Sequence, residues 1–248
     1  MMDTEHQICQ LTGLKLVRSS AQRVWRVART SYGALNPLRR NPADVSRQQW
    51  GRWDPPGAKT IYASQHVVGS YMETLGWSRP SEDAPASKYF TDAQPGETLH
   101  KALADDWSSK GTMSLWSVPA SWREGRSLYK LGFPKTGWFV NVVDTQTLSR
   151  LTAAITHPEQ LTISALMGEN RDLTTRVGEW IRNCELFDNS RPVGVIYPSK
   201  FGLNQWCYAA WLAEKGTTEQ ITILGDRAIE VSDADYRNAA SLLHVIVH

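Results

Sequence analysis

The interleaving of short strand patterns with single amphipathic helices constrains the fold of this chain more than any other feature of its sequence. RVWRVAR at 23–29 alternates apolar and basic side chains, as a half-buried strand does, and KTIYA at 59–63 is a second short strand pattern. Apolar residues at 67–75 recur at helical spacing, with Ser64 as the predicted N-cap and Gly76 as the predicted left-handed end of the helix. This segment therefore predicts a strand, a turn and a helix.

The rest of the chain continues the same mixture. Further strands are predicted at 113–118, 126–131, 137–143, 192–197 and 205–211. Helices are predicted at 146–155 with Asp144 or Thr145 as the cap, at 170–183, and near the end of the chain, where Ser232 and Asp235 resemble a capping box. Residues 78–97, with three prolines, read as a long surface loop. We predict one domain over 1–248 with an α+β fold.

Composition narrows the class of protein. Hydrophobic residues make up 41% and charged residues 21% of the chain, which is ordinary globular usage. No apolar run approaches the roughly 20 residues of a membrane span, and the opening is too polar for a secretory signal, so we expect a cytoplasmic protein without a membrane partner. Cys9, Cys184 and Cys207 lack C-x-x-C spacing, and His244 and His248 lack an H-E-x-x-H context, so neither disulfides nor a metal are expected.

Positive charge is concentrated at the front of the chain. Residues 1–60 hold ten Lys or Arg against four Asp or Glu, although the whole chain has a net charge of only +2. A polyanion, a phosphate-bearing small molecule or a plain solvated surface would each suit this distribution. Because the arginines are spread among apolar and aromatic residues, the small molecule is favoured and nucleic acid is not expected as a direct partner.

The stretch GRWDPPG at 51–57 suggests a binding loop. Residues that favour tight turns surround Arg52, which lies beside Trp50 and Trp53. A guanidinium offers a planar fork of donors for phosphate oxygens, and the indole rings can stack a base or a nicotinamide. The alternative is a surface Arg52 that pairs with Asp54.

Glu73 is the candidate carboxylate. It follows Met72 at the border of the apolar stripe of the predicted helix, where it can be partly sheltered without being stranded in the core. A carboxylate near a ribose can stabilise the positive charge that develops as a glycosidic bond breaks. The alternatives are a solvated helix glutamate for Glu73 and a core aromatic for Tyr62.

Five short pieces occur in an order that resembles the RES-domain family, named for an Arg, a Glu and a Ser. They are WRV with Arg26, GRWDPPG with Arg52, IYAS with Tyr62, METLG with Glu73 and GVIYPSKFG with Ser199. The resemblance covers 23–76 and resumes at 192–203. Between these parts, around 78–190, the chain carries extra material.

The resemblance implies an ADP-ribosyltransferase-like fold, a pair of small β-sheets with peripheral helices and an NAD cleft between them. It also implies a toxin of a toxin–antitoxin pair, with a cognate antitoxin protein that blocks the cleft. Glu73, Arg52 and Ser199 would be catalytic, with Glu73 facing the ribose and Ser199 donating a hydrogen bond to substrate. Arg26 would bind the pyrophosphate region together with Arg52, and Tyr62 would pack on the nicotinamide side.

NAD would be a substrate and not a resident cofactor, because the chain contains no glycine-rich dinucleotide or P-loop motif. The first functional hypothesis is cleavage of NAD at the nicotinamide–ribose bond by a glycohydrolase or phosphorylase, with water or phosphate as co-substrate. The second is a protein ADP-ribosyltransferase that uses the same pocket. The third is a non-catalytic nucleic-acid or carbohydrate-binding module built on the eleven tryptophans.

Overall fold

A nine-stranded sheet organises the chain in the computed structural model, which describes residues 5–79, 84–111, 113–155, 161–212 and 221–248. The strands are β1 (His6–Ile8), β2 (Lys15–Arg18), β3 (Arg23–Arg29), β4 (Thr60–Ser64), β5 (Ser117–Val118), β6 (Arg126–Gly132), β7 (Trp138–Asn141), β8 (Gly194–Ser199), β9 (Gly202–Trp211), β10 (Thr222–Ala228) and β11 (Ile246–Val247). The helices are α1 (Val67–Leu75), α2 (Leu99–Ser109), α3 (Ala120–Glu124), α4 (Thr145–Ala154), α5 (Ile163–Met167), α6 (Arg171–Asn183) and α7 (Ala234–Leu242). The α+β prediction is confirmed.

The large sheet is divided at one weak junction. Its strand order is β1-β2-β7-β8-β9-β4-β3-β6-β10, while β5 and β11 form a separate parallel pair. Strands β3 and β4 share the single residue pair Trp25–Ser64, whereas β3 pairs with β6 from Arg23 to Arg29. The sheet thus consists of a six-stranded part and a three-stranded part joined at one pair. The pair of β-sheets expected from the family resemblance corresponds to these two parts of the large sheet.

Three apolar clusters hold these parts in place. The first joins the six-stranded part to α4 and α6 through residues such as Leu151, Ile181 and Val195. The second includes Val24 and Phe139, from the two parts of the sheet. The third packs α1 and α7 against the three-stranded part. Each fully buried large apolar side chain stabilises the fold by about 1.5–3 kcal/mol.

Both predicted ends of α1 are wrong, although the helix itself is confirmed. Ser64 is the last residue of β4 and pairs with Cys207, so His66 occupies the N-cap without a side-chain cap bond. Gly76 has φ −59°, and the chain continues into a 3-10 turn, Gly76–Ser78. The glycine is needed there for another reason, because a Cβ would collide with the ring of Phe201.

The start of the last helix also differs from the prediction. Asp233, and not Ser232, is the N-cap of α7, and its Oδ1 accepts hydrogen bonds from the backbone N–H groups of Asp235 and Tyr236. The strand predicted at 113–118 is reduced to β5. The loop predicted at 78–97 contains a 3-10 turn, Ala86–Lys88, and residues 80–83 of it lie outside the described residues.

Two further findings concern cysteines and membranes. All three cysteines are free, with Cys9 and Cys207 buried. No helix within the described ranges is long and apolar enough to cross a bilayer.

Candidate functional site

A cavity opens where β3 and β4 separate. Beyond the pair Trp25–Ser64 the two strands diverge, and α1 covers the gap from one side. The cavity has a volume of about 200 Å³. It is lined by Trp25, Arg26, Val27, Tyr62, Ala63, Ser64, Ser70, Glu73, Thr74, Tyr197 and Cys207. Three of the five residues predicted from sequence, Arg26, Tyr62 and Glu73, therefore share one wall.

Ser199 holds the carboxylate of Glu73. The Ser199 hydroxyl donates to Glu73 Oε1 at 2.5 Å, and its oxygen accepts the backbone N–H of Phe201 at 3.1 Å. Ser199 is 1% exposed and ends β8, whereas Glu73 lies half-buried in α1. Because the one hydroxyl proton is directed at Glu73, the geometry favours Ser199 as a positioning residue over the expected donor to substrate.

The groups around Glu73 are kept neutral. Burial raises the pKa of the Cys207 thiol well above its ordinary value, and the nearby charge of Glu73 raises it further. Burial, with Cys207 and Glu73 beside it, likewise keeps the pKa of Tyr197 well above its usual range. Both side chains are therefore protonated at neutral pH, and the thiol is not a nucleophile in this state.

Arg26 crosses the gap between the two strands. Its Nη1 donates to the carbonyl oxygen of Tyr62 at 2.9 Å, while its buried Nε has no partner among the described residues. Burial lowers the pKa of Arg26 to about 10, partly offset by Tyr62, Asp54 and Tyr129. The guanidinium is thus charged at neutral pH and has a donor left for a ligand.

Tyr62 is fixed by a carboxylate that sequence reasoning did not assign to the site. The Tyr62 hydroxyl donates to Asp54 Oδ1 at 2.8 Å and accepts the Trp53 backbone N–H at 2.9 Å. Burial and the adjacent Asp54 raise the pKa of Tyr62 well above its usual value, so the phenol stays neutral. Gly51 permits the arrangement, since a Cβ there would collide with the Tyr62 ring.

The second carboxylate oxygen of Asp54 also accepts hydrogen bonds. Oδ2 accepts from Gly51 N at 2.8 Å and from Arg40 Nε at 2.5 Å, and Asp54 is 3% exposed. The alternative pairing of Arg52 with Asp54 is wrong, because Arg40 takes that position. The turn composition of 51–57 was the available signal, since aspartate side chains in turns often accept backbone N–H groups of their own loop.

Arg52 lies off the cavity wall. Its guanidinium donates to the carbonyl oxygen of Met167 at 2.8 Å and contacts that of Gly168 at 3.4 Å, and the residue is 8% exposed. Arg52 therefore fastens the turn between α5 and α6 to the 51–57 loop. The structure brings Arg26, Tyr62, Glu73 and Ser199 together and places Arg52 one layer away.

The turn at 167–169 also contacts Lys200, the residue after Ser199. Glu169 accepts from Lys200 Nζ at 3.1 Å and pairs with Arg171. Burial alone would raise the pKa of Glu169, but its bond from Lys200 and the charges of Arg171, Lys200 and Arg52 lower it. Arg52 is thereby connected to Ser199 through the turn at 167–169.

The family model of the RES domain matches residues 23–226. The chain belongs to the RES-domain family.

The fold of this RES-domain protein is similar to that of a solved structure. It matches a chain in the crystal structure of the M. tuberculosis MbcT–MbcA toxin–antitoxin complex with a TM-score of 0.51 and 12% identity, over 92% of each chain. This likeness supports the fold. No match was found among curated proteins.

Tryptophans contribute mainly to the interior of the RES domain. Of the eleven, only Trp77 and Trp107 are exposed, at 66% and 39%. Trp138 and Trp211 are buried, and Trp116 and Trp206 are half-buried. In the described part of the chain, no group of three or more His, Cys, Asp or Glu side chains could share a metal ion.

Proposed function

We propose that this RES-domain protein is a toxin that cleaves NAD at the nicotinamide–ribose bond. One observation carries the proposal: a carboxylate held in place by a buried hydroxyl faces a cavity whose wall also contains a charged guanidinium and a tyrosine. Such a set suits a positively charged transition state on a phosphate-bearing substrate. Membership of the family supports the same substrate.

In the proposed reaction the bond from ribose C1 to the pyridinium nitrogen breaks, and its electron pair goes to the nitrogen. Nicotinamide leaves as a neutral molecule, and the ribose becomes an oxocarbenium-like cation. Glu73 stabilises this cation, because the half-buried carboxylate is oriented before the charge develops. Capture of the ADP-ribosyl cation by water yields ADP-ribose and one proton. Capture by phosphate yields ADP-ribose that carries a phosphate ester at C1.

The other residues position these groups. Ser199 fixes the Glu73 carboxylate, and Arg26 supplies positive charge at the cavity wall for the substrate. Tyr62 forms a neutral wall for the nicotinamide, with Asp54 holding its ring in place. Arg52 acts through the turn at 167–169, as its contacts lie there.

Nicotinamide release from NAD by the purified protein tests the proposal. We expect release by the wild type, and a loss of about 10²–10³-fold in Glu73→Gln with folding retained, because removal of one transition-state stabilising group typically costs about that much in rate. Glu185→Gln, an exposed glutamate outside the cavity, is the matched control and should retain full activity.

The products identify the acceptor. Free ADP-ribose indicates hydrolysis, and a phosphate ester formed only when phosphate is present indicates phosphorolysis. Label that appears on a macromolecule identifies an ADP-ribosyltransferase. Intact NAD in every reaction contradicts the proposal. That result would favour the alternative of a non-catalytic binding module, whose binding to a polymer would depend on salt concentration.

The toxin role and the partner are proposed on the fold. The similar structure is a toxin–antitoxin complex. We therefore infer that a cognate antitoxin protein covers the cleft of this chain. Expression of the wild type without that partner should arrest growth, whereas expression of Glu73→Gln at the same level should not. Equal growth in both cultures would contradict the toxin role.

A further inference from the structure

A second cavity lies on the other side of the Arg26–Tyr62 contact. It has a volume of about 320 Å³ and follows the same gap between β3 and β4, from residues 26–29 on one strand to Thr60 and Tyr62 on the other. Arg26, Val27 and Tyr62 line both cavities. The hydrogen bond from Arg26 to the Tyr62 carbonyl therefore joins two residues that line both cavities.

The second cavity is strongly basic. Arg26, Arg29, Arg40 and Arg126 line it, against the single carboxylate Asp54. That carboxylate is already used, because its two oxygens accept from Tyr62, Gly51 and Arg40. The charges of the remaining arginines are not balanced by it.

Two of these arginines face each other directly. Arg29 on β3 is the antiparallel register partner of Arg126 on β6. Like charges at opposed positions of a sheet destabilise it. Burial, and after it the charge of Arg29, lowers the pKa of Arg126. Within the described residues no ion pair includes either side chain, and the Arg126 guanidinium instead donates to the Trp122 carbonyl at 2.8 Å.

Two buried polar atoms at the same cavity lack partners. Arg26 Nε and Thr60 Oγ1 make no hydrogen bond to any described residue, and Thr60 is 4% exposed. Leaving a buried polar atom unsatisfied costs about 1–3 kcal/mol. An opposed pair of arginines, together with a buried hydroxyl and N–H that no described residue pairs with, concentrates positive charge and unpaired polar atoms around one cavity.

We propose that this second cavity binds a phosphoryl group, with Arg29 and Arg126 as the main charges and Thr60 as a hydroxyl donor. Arginine forks match the oxygens of phosphate in geometry as well as charge. The group has two possible sources, the pyrophosphate of NAD or a separate phosphate ion. In the first case the inference rests on the proposed function, and in the second it stands independently.

The test measures binding without requiring turnover. Wild type and the double variant Arg29→Gln/Arg126→Gln are titrated by calorimetry with inorganic phosphate and, separately, with ADP-ribose, at constant ionic strength. The control Arg176→Gln/Arg237→Gln removes two exposed arginines from α6 and α7 and loses the same charge. We expect the cavity variant to lose at least about tenfold in affinity for one or both probes and the control to match the wild type.

The melting temperatures of the wild type and the variants, measured without ligand, show whether a loss of affinity comes from misfolding. Replacement of Arg29 removes the like-charge pair alone, whereas replacement of Arg126 also removes the hydrogen bond to the Trp122 carbonyl and the contact of the guanidinium with the Trp122 ring. Arg29→Gln should therefore melt without ligand at the wild-type temperature or above, and any loss of melting temperature in the double variant should come from Arg126. The single variant Arg29→Gln, which changes an exposed side chain, supplies a second measurement if the double variant folds poorly. Its loss of affinity should have the same direction.

Competition separates the two sources. Phosphate that is displaced by ADP-ribose indicates the pyrophosphate site of the dinucleotide, whereas phosphate that still binds at saturating ADP-ribose indicates a separate ion. If the wild type binds neither probe, or if the cavity variants bind both as tightly as the control does, the inference is overturned. Binding that depends on Arg29 in a protein that leaves NAD intact would uphold this site and reject the proposed function.

Discussion

Among single residues, Glu73 and Ser199 depend on each other most closely. The carboxylate lies in α1 and the hydroxyl at the end of β8, 126 positions apart in sequence, and they meet at 2.5 Å. A carboxylate that is fixed before the substrate charge develops needs no reorganisation during the reaction. Removal of the hydroxyl should therefore affect the chemical step and not the affinity for substrate.

Ser199→Ala should lower kcat for NAD cleavage by about 10–100-fold with little change in KM, since a hydrogen bond to a charged group contributes about 1.5–3 kcal/mol. Steady-state kinetics of nicotinamide release measure both constants. Ser241→Ala, at an exposed position of α7, is the control. An increase in KM with unchanged kcat would instead assign Ser199 to direct substrate binding.

Tyr62→Phe should lower the free energy of unfolding by about 1–3 kcal/mol, because it leaves the Trp53 N–H and one lone pair of the buried Asp54 without a partner. Urea denaturation followed by tryptophan fluorescence measures the change. Tyr89→Phe, at a tyrosine that is 64% exposed, should cost much less. Equal losses in the two variants would argue against the role given to the Asp54 network.

Sequence reasoning at this scale identified residue types better than their contacts. Arg26, Tyr62 and Glu73 were predicted for one site and line one cavity. Arg52 was predicted to bind substrate, but its guanidinium contacts Met167 and Gly168, more than a hundred positions downstream. No local pattern shows that a loop arginine faces a turn from another part of the chain.

Among the secondary-structure elements, α1 carries Glu73 and is tied to its surroundings two residues earlier, at Tyr71. Tyr71 of this helix donates to Asp233 Oδ2 at 2.8 Å, and Arg227 of β10 pairs with the same oxygen at 2.5 Å. Asp233 also caps α7. The Asp233 carboxylate thus connects α1, α7 and β10. Its partner in α1, Tyr71, lies two residues before Glu73.

Asp233→Asn should reduce stability at pH 7 by about 1–3 kcal/mol through weaker bonds to Arg227 and Tyr71. Burial alone would raise the pKa of Asp233, but these two bonds outweigh it and lower the pKa below its ordinary value. The stability from this group is therefore present above the unfolded pKa of about 3.9 and is lost as pH falls through the lower folded value.

Thermal unfolding of both proteins between pH 7 and pH 2.5 measures this dependence. The difference in melting temperature between wild type and Asp233→Asn should shrink as the pH falls below about 4. Asp226→Asn, an exposed change on β10, is the control and should follow the wild type. A difference that stays constant with pH would show that the charge of Asp233 does not matter.

A buried apolar face did not by itself decide which elements were predicted, since β2 buries Leu16 and Val17 and was missed. The helix predicted at 170–183 corresponds to α6, which buries Leu173, Val177 and Ile181. Helix α2 has no buried residue although Leu99, Leu103 and Trp107 recur at helical spacing, and every residue of β10 is exposed. Strand β10 is recruited by its hydrogen bonds to β6, which composition does not reveal.

In the molecule as a whole, the gap between β3 and β4 determines where the candidate site lies. Both cavities lie along it, and Arg26 spans it. The resemblance of short motifs to the RES family predicted a cleft between two sheets, but not a single junction at Trp25–Ser64. Strand register depends on the packing of both faces, which sequence alone did not define. Whether 78–190 is an insertion stays a prediction.

A crystal structure of Glu73→Gln with NAD bound tests the central claim most directly, because the variant should hold the substrate without cleaving it. We predict that ribose C1 on the nicotinamide side lies in contact with residue 73, within roughly 4 Å, and that the nicotinamide packs near Tyr62. NAD bound elsewhere on the chain, or bound here with its nicotinamide–ribose bond remote from residue 73, would contradict the account.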